Sequence, residues 1–131
     1  MSMRTLQPEG WARPRGYANG ISASGRTIFV AGQIGWDAQQ RLVPGGLIPQ
    51  ATQALENILA VLACDGARAE HIARLTWYVL DKSVYLGAGP ALGEAYRAVL
   101  GKHYPAMSAV EVRALMEPGA VVEIEATAVV P

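Results

Sequence analysis

The chain has 131 residues, eleven basic and eleven acidic side chains, and a hydrophobic fraction of 51%. This length suits one domain over residues 1–131, and the balanced charge argues against a general attraction to nucleic acid or to anionic membranes. No run reaches the roughly 18 apolar residues that span a bilayer and no signal-peptide pattern opens the chain, so we expect a cytoplasmic protein.

Rare residue types limit the chemistry further. One cysteine excludes an internal disulfide, and two histidines without a metal-binding spacing give no reason to expect a metal or another cofactor. Cys64 is predicted to be a small buried hydrophobe, because its neighbours offer no cationic activation of a thiolate. Trp11 and Trp77 are predicted to be packing residues.

The N-terminal half predicts two strands and a helix. Residues 17–22 and 27–31 have strand-like composition and are separated by Ser24 and Gly25, which predicts a hairpin. A helix is predicted from about residue 48 to residue 63. Its buried face is indicated by apolar side chains at three- and four-residue steps, namely Ala51, Leu55, Ile58, Leu59 and Leu62.

The C-terminal half predicts one further helix and three strands. Asp81 or Ser83 is expected to cap the helix, whose apolar stripe consists of Ala91, Leu92, Ala95, Tyr96, Val99 and Leu100. The strands are predicted at residues 75–80, 107–115 and 121–129, with a Pro-Gly turn before the last. In the last strand, Val122, Ile124 and Ala126 alternate with Val121, Glu123 and Glu125, which predicts that it is half-buried. This order predicts an α+β fold in which two helices cover one face of a single sheet of about six strands.

The most specific pattern lies in the last quarter of the chain. Pro-Ala-Met-Ser at residues 105–108 and Val-Glu-Ile-Glu-Ala at 122–126 resemble the Pro-Ala-Arg-Ser and Ile-Glu-Ile-Glu-Ala strands of the Rid (YjgF, L-PSP) family. Further similar segments follow the family's order, at residues 16–20, 29–34, 53–58 and 77–79. The resemblance implies a chorismate-mutase-like fold and a homotrimer with three small-molecule pockets at its subunit interfaces.

Three positions depart from the pocket that the resemblance implies. In the family's deaminating branch, an arginine pairs with the carboxylate of imines and enamines such as 2-aminoacrylate, since a guanidinium offers two parallel donors. Met107 stands at that position here, Gly93 stands at the position of a pocket asparagine, and Ala109 stands where some members have a cysteine. These residues remain candidates for substrate binding.

Three other positions match: Tyr17, the backbone of Gly32 and Glu123. The resemblance implies that Glu123 orients a water for attack and that Tyr17 donates a hydrogen bond, which makes both catalytic candidates. Each has a simpler alternative. Tyr17 would then cap the core with its hydroxyl in solvent, and Glu123 would belong to the polar side of an amphipathic strand.

Other side chains are candidates for contact with the ligand. Arg15 would face the same way as Tyr17 in an extended segment, and is otherwise a solvated loop charge. Lys102 and His103, just before the Pro-Ala-Met-Ser strand, are weaker candidates. Trp36 either walls the pocket or packs under the Pro-Gly loop at residues 44–45.

The sequence leaves two functions open. The first is hydrolysis of a C=N bond in a small metabolite by an imine or enamine deaminase of altered substrate choice, and the second is a non-catalytic, metabolite-binding trimer. Neutral charge and the lack of a basic stripe disfavour the family's endoribonuclease and translation-inhibitor activity. Because charged hydrogen bonds contribute about 1.5–3 kcal/mol each, losing the arginine predicts weak or absent activity on 2-iminopropanoate.

Overall fold

The structure is a computed structural model that describes residues 3–131. This range contains six strands, three α-helices and a short 3₁₀ helix at Ala69–His71. In chain order they are β1 (Met3–Leu6), β2 (Gly20–Ala23), β3 (Arg26–Gln33), α1 (Leu47–Ala63), β4 (Ile72–Val79), α2 (Lys82–Gly87), α3 (Gly89–Leu100), β5 (Ala106–Glu111) and β6 (Val122–Val130). Among these helices none has the length and apolar character needed to cross a membrane.

The strands divide between a four-stranded sheet, in the order β3-β6-β4-β5, and a ribbon of β1 and β2. β6 pairs antiparallel with both β3 and β4, whereas β5 runs parallel to β4. The chain passes from β4 to β5 through α2 and α3, the crossover that a parallel pair requires. The α+β class is confirmed, although the strands do not all share one sheet.

The core lies between the helices and one face of the sheet. Its fully buried side chains come from α1 (Leu55, Ile58, Leu62) and from β4 and β6 (Ile72, Leu75, Val122, Ile124). Buried and half-buried residues alternate along β6, which confirms the pattern predicted for it. Because alternate side chains of a strand face opposite ways, Glu123 and Glu125 lie on the face away from the core.

The predicted hairpin between residues 17–22 and 27–31 is wrong. β2 pairs with β1, and β3 pairs with β6. Gly25 directs the chain alongside the end of β6, since a Cβ atom there would overlap the carbonyl oxygen of Val130 and its φ is +141°. Pairing with β6 buries Val30 against the core, an advantage that the mostly exposed β2 does not offer.

The second predicted helix is divided in two. Asp81 caps α2 by accepting a hydrogen bond from the Val84 backbone at 3.1 Å, which confirms the predicted cap. Gly89, with φ +53°, and Pro90 then begin α3 in a new direction. Only Tyr96 and Leu100 of the predicted stripe are buried in α3.

Two predictions of burial are wrong. Cys64 is exposed, because it follows the last turn of α1 and points away from the side that buries Leu62. Trp11 is 63% exposed, since it lies in the loop between β1 and β2, outside the helix-covered core. Trp77, in contrast, is 3% exposed on β4, as predicted for a packing residue.

Gln50 is a buried polar side chain that joins α1 to the turn before β6. Its amide nitrogen donates to the Gly119 carbonyl at 3.0 Å, and its amide oxygen accepts from the Val121 backbone at 2.9 Å. Gly35 packs directly on the Gln50 backbone, where a Cβ atom would approach the Gln50 Cα to 2.7 Å. One helical residue therefore fixes the ends of both β3 and β6.

We expect Gln50→Leu to lower the free energy of unfolding by about 2 kcal/mol, because it keeps the side-chain volume but leaves two backbone groups without partners. Urea denaturation measures the change. Glu56→Ala, an exposed position on the same helix, is the matched control and should change stability by less than about 0.5 kcal/mol. Equal effects of the two substitutions would contradict this role for Gln50.

Candidate functional site

Glu123 lies against Gly32 on the sheet face opposite the helices. The register between β3 and β6 shifts between Val30 and Gln33, so Gly32 sits in an irregular part of the ladder. A Cβ atom at Gly32 would overlap the Glu123 carboxylate, so only glycine permits this approach. The fold thus brings together two of the three positions that matched the family pattern.

The two carboxylates of β6 on this face differ in their partners. Tyr78 donates a 2.5 Å hydrogen bond to Glu125. That bond, together with burial, raises the pKa of the Tyr78 phenol. Glu123 makes no side-chain hydrogen bond or salt bridge to any residue in the range 3–131, so its oxygens remain available for a water or a substrate.

Met107 lies on the other face of the sheet, in a cavity of about 460 Å³. We call this space the Met107 cavity. β5 places Met107 opposite Leu75 of β4, which turns it toward the helices. The side chains and backbone around it include Arg15, Gly16, Trp77, Tyr85, Leu86, Gly89, Leu92, Gly93, Tyr96, Arg97 and Tyr104. Met107, Gly93 and Arg15, three of the predicted substrate-binding residues, therefore meet here.

Aromatic rings wall the Met107 cavity. Tyr96 stacks on Tyr104 with ring centroids 5.5 Å apart and planes 9° apart, and Trp77 lies 6.1 Å from Tyr85. The Tyr96 hydroxyl donates to the His103 carbonyl at 2.6 Å. Burial, and to a smaller extent Tyr104, raises the pKa of Tyr96 well above its usual range. Such walls suit a planar or apolar ligand.

Arg97 is a cavity residue that the sequence analysis missed. It follows Gly93 by four residues on α3, and its guanidinium lies over Gly93 within the Met107 cavity. The signal was present in the sequence, since residues four apart share one side of a helix. The sequence does not single out Arg97, because the apolar stripe that contains Tyr96 predicts a core face of the helix and not a cavity.

Tyr17 borders a different space. It is 42% exposed and lines a cavity of about 530 Å³ together with Lys102 and His103. Tyr104 belongs to the walls of both this cavity and the Met107 cavity, so the two spaces are neighbours.

One chain does not bring Tyr17 to Glu123. Ala18, next to Tyr17, bridges to Ala106, which pairs with Arg74 of β4. Glu123 pairs with Tyr78, four residues further along the same strand. At roughly 3.3 Å per residue, these positions are about 13 Å apart along the sheet, and Glu123 also occupies the opposite face from the Met107 cavity.

Two remaining candidates lie elsewhere. Trp36 is half-buried in the loop after β3, where its backbone bridges to Leu42 and its carbonyl accepts from Asn57 at 2.8 Å. Trp36 lines neither the Met107 cavity nor the cavity beside Tyr17. Ala109 is exposed on β5, opposite Trp77, so it lies on the helix-side face two residues beyond Met107.

Comparison with known proteins identifies similar chains. Residues 12–130 match the sequence model of a family described as endoribonuclease L-PSP. The 2-iminobutanoate/2-iminopropanoate deaminase of Capra hircus is 37% identical over 105 residues, which cover 79% of this chain and 73% of the relative.

Solved structures agree over almost the whole length. A conserved Rid-family protein of unknown function from Yersinia pestis is 34% identical, with a TM-score of 0.85 over 99% of this chain and 100% of that chain. RidA from an Antarctic Psychrobacter is 31% identical, with a TM-score of 0.70 over 97% and 99% of the two chains. These similarities confirm the expected chorismate-mutase-like fold.

We expect Tyr96→Phe to lower the free energy of unfolding by about 1 kcal/mol at pH 7, because the His103 carbonyl loses its donor. The folded-state pKa of Tyr96 is raised, so its contribution is complete below the unfolded-state pKa of about 10 and is lost as pH rises above it. The stability difference between wild type and variant should therefore shrink above about pH 10.

Urea denaturation at pH 7 and at about pH 10.5 measures both effects. Tyr17→Phe, whose hydroxyl has no hydrogen bond to the described residues and whose ring is 42% exposed, is the control. A pH-independent difference between wild type and Tyr96→Phe would contradict the role assigned to the buried hydroxyl.

Proposed function

Because the chain belongs to the Rid family, the family described as endoribonuclease L-PSP, we propose that it hydrolyses the C=N bond of a small imine or of the enamine that gives rise to it. The name of the Capra hircus relative, a deaminase of 2-imino acids, supports this reaction class. The observation that carries the proposal is the Glu123 carboxylate, which lies against Gly32 without a partner among residues 3–131.

In the proposed reaction, Glu123 acts as the general base. It takes a proton from a water molecule while the water oxygen bonds to the imine carbon, and the imine nitrogen gains a proton from solvent. The resulting carbinolamine loses ammonia when Glu123 returns its proton to nitrogen and the C–N bond breaks. The carbinolamine hydroxyl releases its proton to solvent as the carbonyl forms. A ketone or keto acid and ammonia are the products, so one water is consumed for each imine. Tyr17 donates a hydrogen bond to the reacting group.

The complete site is proposed to form between copies of the chain, in a homotrimer. Glu123 and Gly32 lie on one face of the sheet, whereas the Met107 cavity opens on the other face and Tyr17 lies beside it. Since register fixes this separation within one chain, only a neighbouring copy can bring Tyr17 and the Met107 cavity to the Glu123 carboxylate.

The exposed sheet face supports such an assembly. Phe29 is 79% exposed and Val110 is 45% exposed on this face, where a single chain leaves apolar surface in water. Burial of apolar surface is the usual driving force for stable association between subunits. Packing of this face against other copies would remove that surface from solvent.

Hydrolysis is tested with imines generated in situ from amino acids by an amino-acid oxidase. We expect wild type to accelerate decay of the imine, and Glu123→Gln to lower the rate by about 10²-fold or more, because the general base is lost. Glu125→Gln is the matched control on the same strand, since its side chain still accepts from Tyr78 and the rate should change little. No acceleration by wild type over the uncatalysed reaction overturns the proposal.

The shared site is tested by mixing inactive copies. Tyr17→Phe and Glu123→Gln are expected to be inactive alone. Random mixing of equal amounts should restore about one quarter of all sites, because each site takes one residue from each of two copies and every mixed trimer then has one intact site of three. The measurement is hydrolysis by co-refolded protein, with light scattering to establish the mass. Mixed trimers that remain inactive would show that each site uses residues of one chain.

A non-catalytic metabolite-binding trimer is the second candidate. It is favoured by the Met107 cavity itself, which no acidic side chain lines and where a thioether stands at the position of the family's arginine. This function predicts that wild type binds a keto or imino compound while imine decay stays at the uncatalysed rate. Calorimetric titration beside the hydrolysis assay separates the two functions.

A further inference from the structure

Within one chain, the Met107 cavity carries positive charge without a matching negative charge. Arg15 and Arg97 both line it, and neither forms a salt bridge or side-chain hydrogen bond with another residue in the described part of the chain. None of its lining residues is Asp or Glu. An unpaired guanidinium beside an apolar wall attracts a carboxylate or another small anion, since both partners form charge-assisted hydrogen bonds.

The Arg97 guanidinium packs over Gly93. A Cβ atom built on Gly93 would lie 3.2 Å from Nη1 of Arg97 and 3.9 Å from its Cζ and Nη2. The guanidinium therefore covers the glycine directly, and a side chain as large as asparagine at residue 93 would compete for the space that it occupies. Gly93 and Arg97, one helical turn apart, therefore form one structural unit.

The wall of the cavity supplies a second, independent sign of a ligand. Trp77 is 3% exposed, lines the cavity, and its Nε1–H has no acceptor within the described residues. Buried donors of this kind are normally satisfied, so an unpaired one indicates a partner of another kind. A carbonyl or carboxylate oxygen is an acceptor that matches it.

We propose that Arg97, positioned over Gly93, and Arg15 form the anion clamp of the Met107 cavity, and that the ligand is a 2-keto or 2-imino acid with an aromatic side chain. The stacked Tyr96 and Tyr104 rings offer a flat surface, and the Met107 thioether adapts to an aromatic group. The volume of about 460 Å³ lies within the range of roughly 300–1,000 Å³ that is common for small-molecule sites.

This inference rests on the proposed function for the identity of the substrate, but binding can be measured without turnover. Calorimetric titration uses phenylpyruvate, the stable keto analogue of an aromatic imino acid, beside pyruvate and the neutral phenylpyruvamide. We expect phenylpyruvate to bind at least tenfold more tightly than either, since it alone combines the ring and the carboxylate. The full chain is used throughout.

Variants separate the clamp from general charge effects. Arg97→Gln and Arg15→Gln should each weaken phenylpyruvate binding about tenfold, with little effect on phenylpyruvamide. Gly93→Asn should resemble Arg97→Gln, because the added side chain displaces the guanidinium. Arg113→Gln, at an exposed arginine that lines none of the cavities described above, should bind phenylpyruvate like wild type. Circular dichroism verifies the fold of each variant.

The outcomes distinguish the two proposals. Arginine-dependent binding without imine hydrolysis supports the clamp and removes the proposed enzyme activity. If the protein hydrolyses imines but Arg97→Gln and Arg15→Gln both bind phenylpyruvate like wild type, the clamp is overturned and the proposed activity stands. Equal affinity for phenylpyruvate and phenylpyruvamide also overturns the clamp, because the carboxylate then contributes nothing.

Discussion

The attachment of α1 to the sheet through Gln50 is the constraint on which the Glu123 and Gly32 part of the candidate site depends. The Gln50 side chain bonds to the backbone of Gly119 and Val121, and its own backbone is packed against Gly35. Val121 precedes Glu123 by two residues, and Gly35 follows Gly32 by three. A buried amide with both polar groups satisfied therefore holds β3 and β6 in the alignment that sets the Glu123 carboxylate on glycine.

The alternation of side chains along the strands places different candidate groups on the two faces of the sheet. On β6, Ile124 enters the core, so its neighbour Glu123 faces outward. On β5, Met107 shares a side with the buried Leu75 and turns toward the helices. Glu123, the proposed general base, and the Met107 cavity are thereby placed on opposite faces of one sheet. In the proposed assembly, the Glu123 carboxylate of one copy would face the Met107 cavity of another.

Departures from the family pattern in the binding half affect one shared space. Met107 stands on β5 at the position where the resemblance implies a guanidinium, and the Arg97 guanidinium lies over Gly93 on α3. In the proposed clamp, the positive charge that a ligand meets comes from the helix side rather than from the strand. Such a move of the cation would change which part of a ligand lies against the aromatic wall, and so which substrate fits.

Local patterns in the sequence determined the elements whose stability is local. The first helix was predicted from residue 48 because its apolar stripe has helical periodicity, and it begins at Leu47. The alternation of apolar and polar residues likewise predicted that β6 is half-buried. The capping role of Asp81 and the match of Glu123 and Gly32 to the family pattern were also available from the sequence. Only the tertiary structure decided that β3 pairs with β6, that β5 runs parallel to β4, and that Arg97 enters the Met107 cavity. These features depend on which distant segments of the chain pack together. The pattern of neighbouring residues along the chain does not specify that pairing.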